Sequence, residues 1–211
     1  MARYTGPVCK LCRREGMKLF LKAERCLTPK CAVERRNTPP GQQSVAGARR
    51  RRPTEFALQW REKQKARRIY GLLEAQFRRH FEEAERRPGS TGENLLQILE
   101  SRLDNILYRI GIGGLPAQAR PVVRHGPWLV YRRKCQIPSR LVRPEDVVSV
   151  APTARETEMV RTAIESGPQR QIPAWLSFDP SAFSARINAL PNRGEIETAV
   201  TEQLIVEFYA R

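Results

Sequence analysis

"ENLLQILESRLDNILYRIG", residues 93–111, decides the fold. Leu95, Leu99, Leu103, Ile106 and Ile110 recur every three or four positions, the period of a helix that buries one stripe. Ser90 and Glu93 have capping-box spacing at its start, and Gly111 stands where a helix stop belongs. The stretch therefore predicts the strongest helix of the chain. Beyond it the pattern changes. A shorter helix is expected from Pro116 to just before Gly126, then β-like runs "WLVY" (128–131) and "DVVSV" (146–150) joined by a basic, proline-marked segment. Thr153 to Ser166 reads as helical. Loops follow until "QLIVEFYAR" (203–211), which reads as a terminal strand. Upstream, Phe56 to Arg87 is helical with a break at Gly71, and "NTPPGQQSVAGARRRRP" (37–53) has the composition of a linker. Helices first and a small antiparallel sheet later give an α+β class.

Of 211 residues, 38 are Lys or Arg and 22 are Asp or Glu, for a net charge of +16. The excess is uneven: residues 1–90 hold 23 basic and 9 acidic side chains, residues 91–211 hold 15 and 13. A field of one sign repels itself in a compact fold unless an anionic partner quenches it, and nucleic acid is the first candidate. No stretch approaches the roughly 18 apolar residues of a membrane span, and no basic amphipathic helix with exposed Trp or Leu marks a membrane partner. "MARYTGPVCKLC" (1–12) has no apolar core of a secretory signal, so a reducing cytoplasm is expected and disulfides are not.

Four of the five cysteines fall between positions 9 and 31: Cys9 and Cys12, then Cys26 and Cys31. Two close thiol pairs across a loop have the spacing of one tetrahedral ion, and zinc favours thiolate sulfur. Lys10, Arg13, Arg14, Lys18, Lys22, Arg25 and Lys30 lie around them, and cations lower thiol pKa values. An iron–sulfur cluster uses the same four ligands. Four unrelated free thiols and a redox pair are the other readings, but a redox pair belongs beside a βαβ unit that this sequence lacks. The expectation is a structural zinc ion supplying folding free energy to a segment poor in apolar residues. Cys135 stands alone and reads as a small, partly buried residue. His80 and His125 have no partner at ligand spacing.

"WREKQKARRIYG" (60–71) is the basic centre of the front half. On a helical wheel Arg61, Lys65 and Arg68 form one rim and Lys63 with Arg67 a second. Leu58, Ala66, Ile69 and Leu73 fill the stripe between them. Glu62 is the only acid between Trp60 and Tyr70, so most of these cations have no partner at i,i+4. With the run Arg49, Arg50, Arg51 and Arg52 just upstream, this is the pattern of a polyanion-binding helix. Arg78–Glu82 and Arg79–Glu83, by contrast, are spaced as pairs on a scaffold helix whose stripe is Phe77, Phe81 and Ala84.

Several stretches in order then resemble one family. "RYTGPVCKLCRREGMKLFLKAERC", "CAVERRNTPPGQ", "REKQKARRIYG", "TGENLLQILESRLDNILYRIG" and "EQLIVEFYAR" are similar to the bacterial family of small ribosomal subunit protein number four, in its four-cysteine, metal-binding branch. The resemblance implies early binding to small-subunit (16S) rRNA at a junction of the 5′ domain. It further implies contact with small-subunit protein number five, a bearing on decoding accuracy and a place beside the channel through which mRNA arrives. Its own mRNA is a further partner left open, as is whether the protein represses it. Residues 93–152 resemble the small RNA-binding module named after that protein, two helices and a hairpin with a basic surface. Its matching positions here are Arg102, Asp104, Tyr108, Arg109, Ala119, Arg120, Arg124, His125 and Gly126. Where the family has Asn-Gly at the hairpin tip this chain has Tyr131 and Arg132, which argues against a tight turn at positive φ. Pro121 inside the second helix predicts a kink or a late start.

The chain thus divides, as an expectation, into a four-cysteine module and linker (1–45), a helical rRNA-binding domain (46–92), the small RNA-binding module (93–155) and a C-terminal helix, loops and strand (156–211). RNA contacts are assigned to Arg3, Tyr4, Lys10, Arg13, Arg14, the arginines from Arg49 to Arg52, Arg61, Lys63, Lys65, Arg67, Arg68 and Tyr70, and to Arg102, Tyr108, Arg109, Arg120, Arg124 and His125. Folded RNA presents phosphates, ribose hydroxyls and shape rather than base edges, which suits arginine forks and lysine charges; Tyr4, Trp60 and Tyr70 are the candidates for stacking on exposed bases. The rivals are an RNA-modifying enzyme and a metal-finger DNA-binding regulator. The first lacks any matching catalytic motif around Asp104, Asp146 or Asp179, and the second lacks a repeating finger. A structural, non-enzymatic component of the cytoplasmic ribosome is the expectation.

Overall fold

A computed structural model describes residues 3–41, 52–158, 160–161 and 171–210. The linker reading of residues 42–51, with Arg49, Arg50 and Arg51, and most of the helix expected from Thr153 to Ser166 lie outside the described residues; the described start of that helix is a 3-10 turn, Pro152–Ala154. Two compact units divide the chain: Met1–Gly92 with Ala199–Arg211, and Glu93–Thr198.

In the first unit, α1 (Val8–Glu15) stops at Gly16, whose φ of 71° a side chain would strain. A 3-10 turn (Ala23–Cys26) and a single turn α2 (Ala32–Arg35) follow. The Thr54 hydroxyl caps α3 (Glu55–Ile69) by accepting from the Ala57 N–H at 3.3 Å. The helix ends at Gly71, φ 63°, as its sequence position predicts, and α4 (Glu74–Arg86) buries Phe77, Phe81 and Ala84. The last element, α8 (Glu202–Tyr209), packs on α3, with Ile205 fully buried. The terminal strand expected at 203–211 is therefore a helix. A short apolar run fits either period, and here tertiary packing selects the helix. Ile205 and Tyr209, four apart, share a face, and the Tyr209 ring stacks 4.4 Å from that of Phe81.

In the second unit, α5 (Thr91–Glu100, its first turn spanning the boundary) and α6 (Leu103–Arg109) replace the single helix expected over 93–111. The apolar period runs on unbroken, but Arg102 is extended (ψ 138°) and bridges Leu141. The Leu103 and Asp104 N–H groups donate to the Arg140 and Pro138 carbonyls at 2.9 and 3.1 Å. A strand-like contact with residues 138–142 thus interrupts the helix, and the Ser101 hydroxyl bonds back to the Gln97 carbonyl at 2.6 Å. Next, α7 (Pro116–His125) opens where expected and runs through Pro121 without a late start. Gly126 is required by space: a Cβ there would lie 2.4 Å from the Val122 carbonyl oxygen, which accepts from the Trp128 indole at 2.9 Å.

Five antiparallel strands follow: β1 (Trp128–Val130), β2 (Arg133–Lys134), β3 (Val147–Val150), β4 (Leu176–Asp179) and β5 (Ser184–Ile187), in the order β2-β1-β3-β5-β4. The last two arise from a region with no clear alternation in sequence. The β1–β2 turn, expected to fail for want of Asn-Gly, is formed: Val130 pairs with Arg133, and Tyr131 and Arg132 sit at φ 52° and 61°. Trp128, Val130, Val148, Val150, Ala185 and Ile187 turn inward onto Leu103, Ile106, Leu107, Ala119 and Val123, making one core.

Candidate nucleic-acid interface

The four N-terminal cysteines come together but not as a metal centre. All four border one small hollow with Val8, Leu21, Ala32 and Val33. Among the described residues no His, Cys, Asp or Glu group is arranged to hold a metal ion. The zinc ion, the iron–sulfur alternative and the metal-bound module of the expected fold are thereby corrected. Cys12, Cys26 and Cys31 are buried free thiols beside aliphatic side chains, and burial pushes the Cys12 thiol up, although a backbone bond at Leu19 opposes it. The Cys26 sulfur accepts the Lys22 N–H at 3.3 Å. Small buried thiols pack as weak hydrophobes. Spacing alone carries no information about that environment.

The cations of α3 are not free rims. The Glu15 carboxylate, its side chain only 4% exposed, accepts from Arg61 at 3.3 Å and from Arg68. Burial pushes the Glu15 carboxyl up against the pull of Arg68, Arg61 and Lys65, and burial lowers both arginines in turn. Lys63 is 4% exposed; its ammonium lies 2.6 Å from Glu74 and over the Phe208 ring at 4.4 Å. Arg67 shares Glu74 at 3.3 Å, and Lys65 meets Glu62 at 2.6 Å. The Tyr209 hydroxyl also donates to Glu74 at 3.0 Å, and burial pushes that phenol well up. The apolar stripe is corrected at Leu58, which is exposed; Ala66 is buried as expected, and α3 also buries Gln59, Lys63 and Gln64. Tyr70 is buried too. The partners Glu15 and Glu74 lie far along the chain or beyond Gly71, where an i,i+4 rule does not look.

In the second unit Arg102 and Arg120 are buried around Asp104. Arg102 grips it with two bonds, 3.1 and 3.0 Å, and Arg120 Nε donates at 2.9 Å. Arg109 pairs with Glu100 at 2.6 and 3.0 Å, and Tyr108 is half-buried. Arg124 and His125, at the end of α7, are exposed. Exposed also are Arg3, Tyr4, Lys10, Arg14 and Arg52; Arg13 is half-buried and donates to the Thr38 carbonyl at 2.9 Å. One basic group was missed: Tyr131, Arg132, Arg133 and Lys134 at the hairpin, with Arg140 and Arg143 nearby in sequence, all exposed. The "YRRK" run was the available signal, obscured by the near-neutral balance of the second half.

Two buried cores carrying exposed arginines and lysines on a loop segment, a helix end and a hairpin define a structural polyanion-binding protein. A family model described as "Ribosomal protein S4/S9 N-terminal domain" matches residues 3–100. The chain is 54% identical over 211 residues, the whole of both chains, to small ribosomal subunit protein uS4 of Pelotomaculum thermopropionicum. It is 51% and 50% identical, again over the whole of both, to the proteins of that name from Halothermothrix orenii and Thermus thermophilus. The chain belongs to the small ribosomal subunit protein uS4 family. It is a structural, rRNA-binding protein of the small subunit and not an enzyme, which removes the RNA-modifying and metal-finger alternatives.

Proposed function

We propose that this protein binds 16S rRNA at a junction of the 5′ domain early in subunit assembly, in the cytoplasm, and touches neighbouring ribosomal proteins, number five among them, at a surface that bears on decoding accuracy. The same RNA surface is the one we propose for its own mRNA, and no membrane partner is proposed. Arg3, Tyr4, Lys10, Arg14, Arg52, Arg124 and His125 carry the first contacts, being exposed, with Arg49, Arg50 and Arg51 continuing the Arg52 run. Arg13, Arg61, Lys65, Arg67, Arg68, Tyr108 and Arg109 are half-buried and are proposed to contribute behind them. Lys63, Tyr70, Arg102 and Arg120 set the shape beneath them. Residues 1–45, 46–92, 93–155 and 156–211 remain the proposed working segments.

The observation that carries this reading is the exposure of those cations in a chain of net charge +16. Each phosphate neutralised releases condensed counterion, so log K against log[salt] for the protein and a 16S transcript falls with a slope of roughly −0.7 to −0.9 per contact. Arg124→Ala flattens it by about one such step. A salt-independent affinity would refute the reading.

A further inference from the structure

The β1–β2 connection is built from the wrong residues for its geometry. With Val130 paired to Arg133, only Tyr131 and Arg132 are left to turn the chain, and both stand at positive φ, 52° and 61°. A two-residue turn of this kind favours Asn-Gly, because a Cβ meets the backbone there. Nothing in the core asks for the larger side chains: Tyr131 is 63% exposed and Arg132 is exposed. Strain held at a solvent-facing tip points to what the side chains do outside the fold.

Their surroundings narrow the choice of occupant. Among the described residues of the second unit the exposed large hydrophobic side chains are Tyr131, Ile137 and Val147, and the Tyr131 N–H donates to the Val147 carbonyl at 3.3 Å. Arg132 is beside the ring in sequence, and Arg133 and Lys134 are exposed on β2, the edge strand of the sheet. The nearby Asp146 carboxylate holds the Tyr131 phenol above its ordinary range. An exposed aromatic face followed by three consecutive cations is the arrangement that takes a base and its phosphates. Duplex RNA hides its bases, so the base must be unpaired.

We propose that Tyr131 stacks on one unpaired nucleobase of the small-subunit rRNA while Arg132, Arg133 and Lys134 hold the phosphates on either side. The inference rests on the rRNA-binding reading and adds a site at a tip whose residues are not the Asn-Gly that such a turn favours. The full-length protein is titrated with a 16S transcript at fixed salt, with base-specific chemical probing alongside. Tyr131→Phe keeps wild-type affinity and protects the same unpaired base. Tyr131→Ala weakens binding about 5- to 150-fold, the range a lost base stack produces, and exposes that base. The Tyr131→Asn, Arg132→Gly double variant melts at higher temperature, its turn now unstrained, yet binds as weakly as Tyr131→Ala or worse. Wild-type binding with Tyr131→Ala unchanged, or no base whose protection depends on Tyr131, overturns the site alone. So does a loss seen only in contact with a neighbouring protein. A wild-type protein that ignores the transcript overturns the rRNA reading and the site together.

Discussion

Asp104→Asn tests whether the second unit is organised around a buried charge. The Asp104 side chain is 6% exposed, between Arg102 at 1% and Arg120 at 9%. The carboxylate accepts three bonds of 2.9–3.1 Å from the two guanidinium groups. An asparagine keeps the volume but replaces one oxygen by a donor that faces cations. Two buried positive groups then lose the carboxylate they share, and removing one partner of such a pair costs about 3–5 kcal/mol. At about 5 °C per kcal/mol for a unit of this size, the melting point of the second unit falls by roughly 15–25 °C. Near-ultraviolet circular dichroism reads this selectively, since Trp128 and Trp175 are buried in that unit and Trp60 belongs to the other. Replacing all three by Met, Leu and Met removes the charges with their desolvation cost, and the triple variant is expected to be as stable as the wild type or more so. A fall of less than about 1 kcal/mol for Asp104→Asn would refute the reasoning, because the arginines would then be compensated elsewhere.

The closing helix of the first unit gives a second test: Ile205→Ala, at a fully buried α8 position, lowers stability by about 2–5 kcal/mol and shifts the Trp60 fluorescence transition, leaving the second unit's melting unchanged. The pH dependence of that unit has two opposed contributions. Burial raises Glu74, but hydrogen bonds from Lys63 and Tyr209 and the charges of Lys63 and Arg67 outweigh it and hold the carboxyl below 4.5. Its stabilisation is present above 4.5 and lost as pH falls through the lower folded value, so Glu74→Gln flattens acid unfolding. Glu15 runs the other way. Its carboxyl is raised above 4.5 by burial, so its contribution is complete below 4.5 and lost as pH climbs through the higher folded value, and Glu15→Gln removes that slope. Urea titrations between pH 3 and 7 distinguish the two, and parallel curves for both variants would overturn the assignment.

Much of the fold was readable because local signals agreed. Gly71 and Gly111 punctuate helices, Pro116 opens α7, and the alternation around Val148 and Val150 marks β3. The failures share a cause, which is that tertiary contacts overrode a locally consistent pattern. The Leu–Ile period of 93–111 does not register that residues 138–142 pair with Arg102 and cut the helix. "QLIVEFY" fits a strand until its Ile205 and Tyr209 must meet the face of another helix. The cysteine spacing fits a metal, but among the described residues the thiols come together without an arrangement that could hold one. The hairpin tip is the converse case. Local chemistry argued against a turn that strand pairing imposes, and that mismatch is what marks the tip as a place where side chains serve a partner.

The charge of this protein is the clearest case of a global quantity misassigned locally. Counted along the sequence, α3 carries five nearly unopposed cations. Folded, Glu15 takes Arg61 and Arg68, Glu74 takes Lys63 and Arg67, and Glu62 takes Lys65, so three carboxylates already stand beside the groups that phosphates would claim. A guanidinium bonded to one carboxylate still has donors to offer, so these arginines are oriented as much as they are neutralised. Counterions condensed on RNA are released by cations that reach phosphate, and a cation already balanced inside the protein adds less than a full charge to that exchange. The salt slope must then fall short of what 38 basic residues suggest, and follow the exposed set at the N-terminal segment, at Arg52, at the end of α7 and at the hairpin. Net charge brings the protein to RNA; the acids of the first unit decide which of its cations remain to bind it.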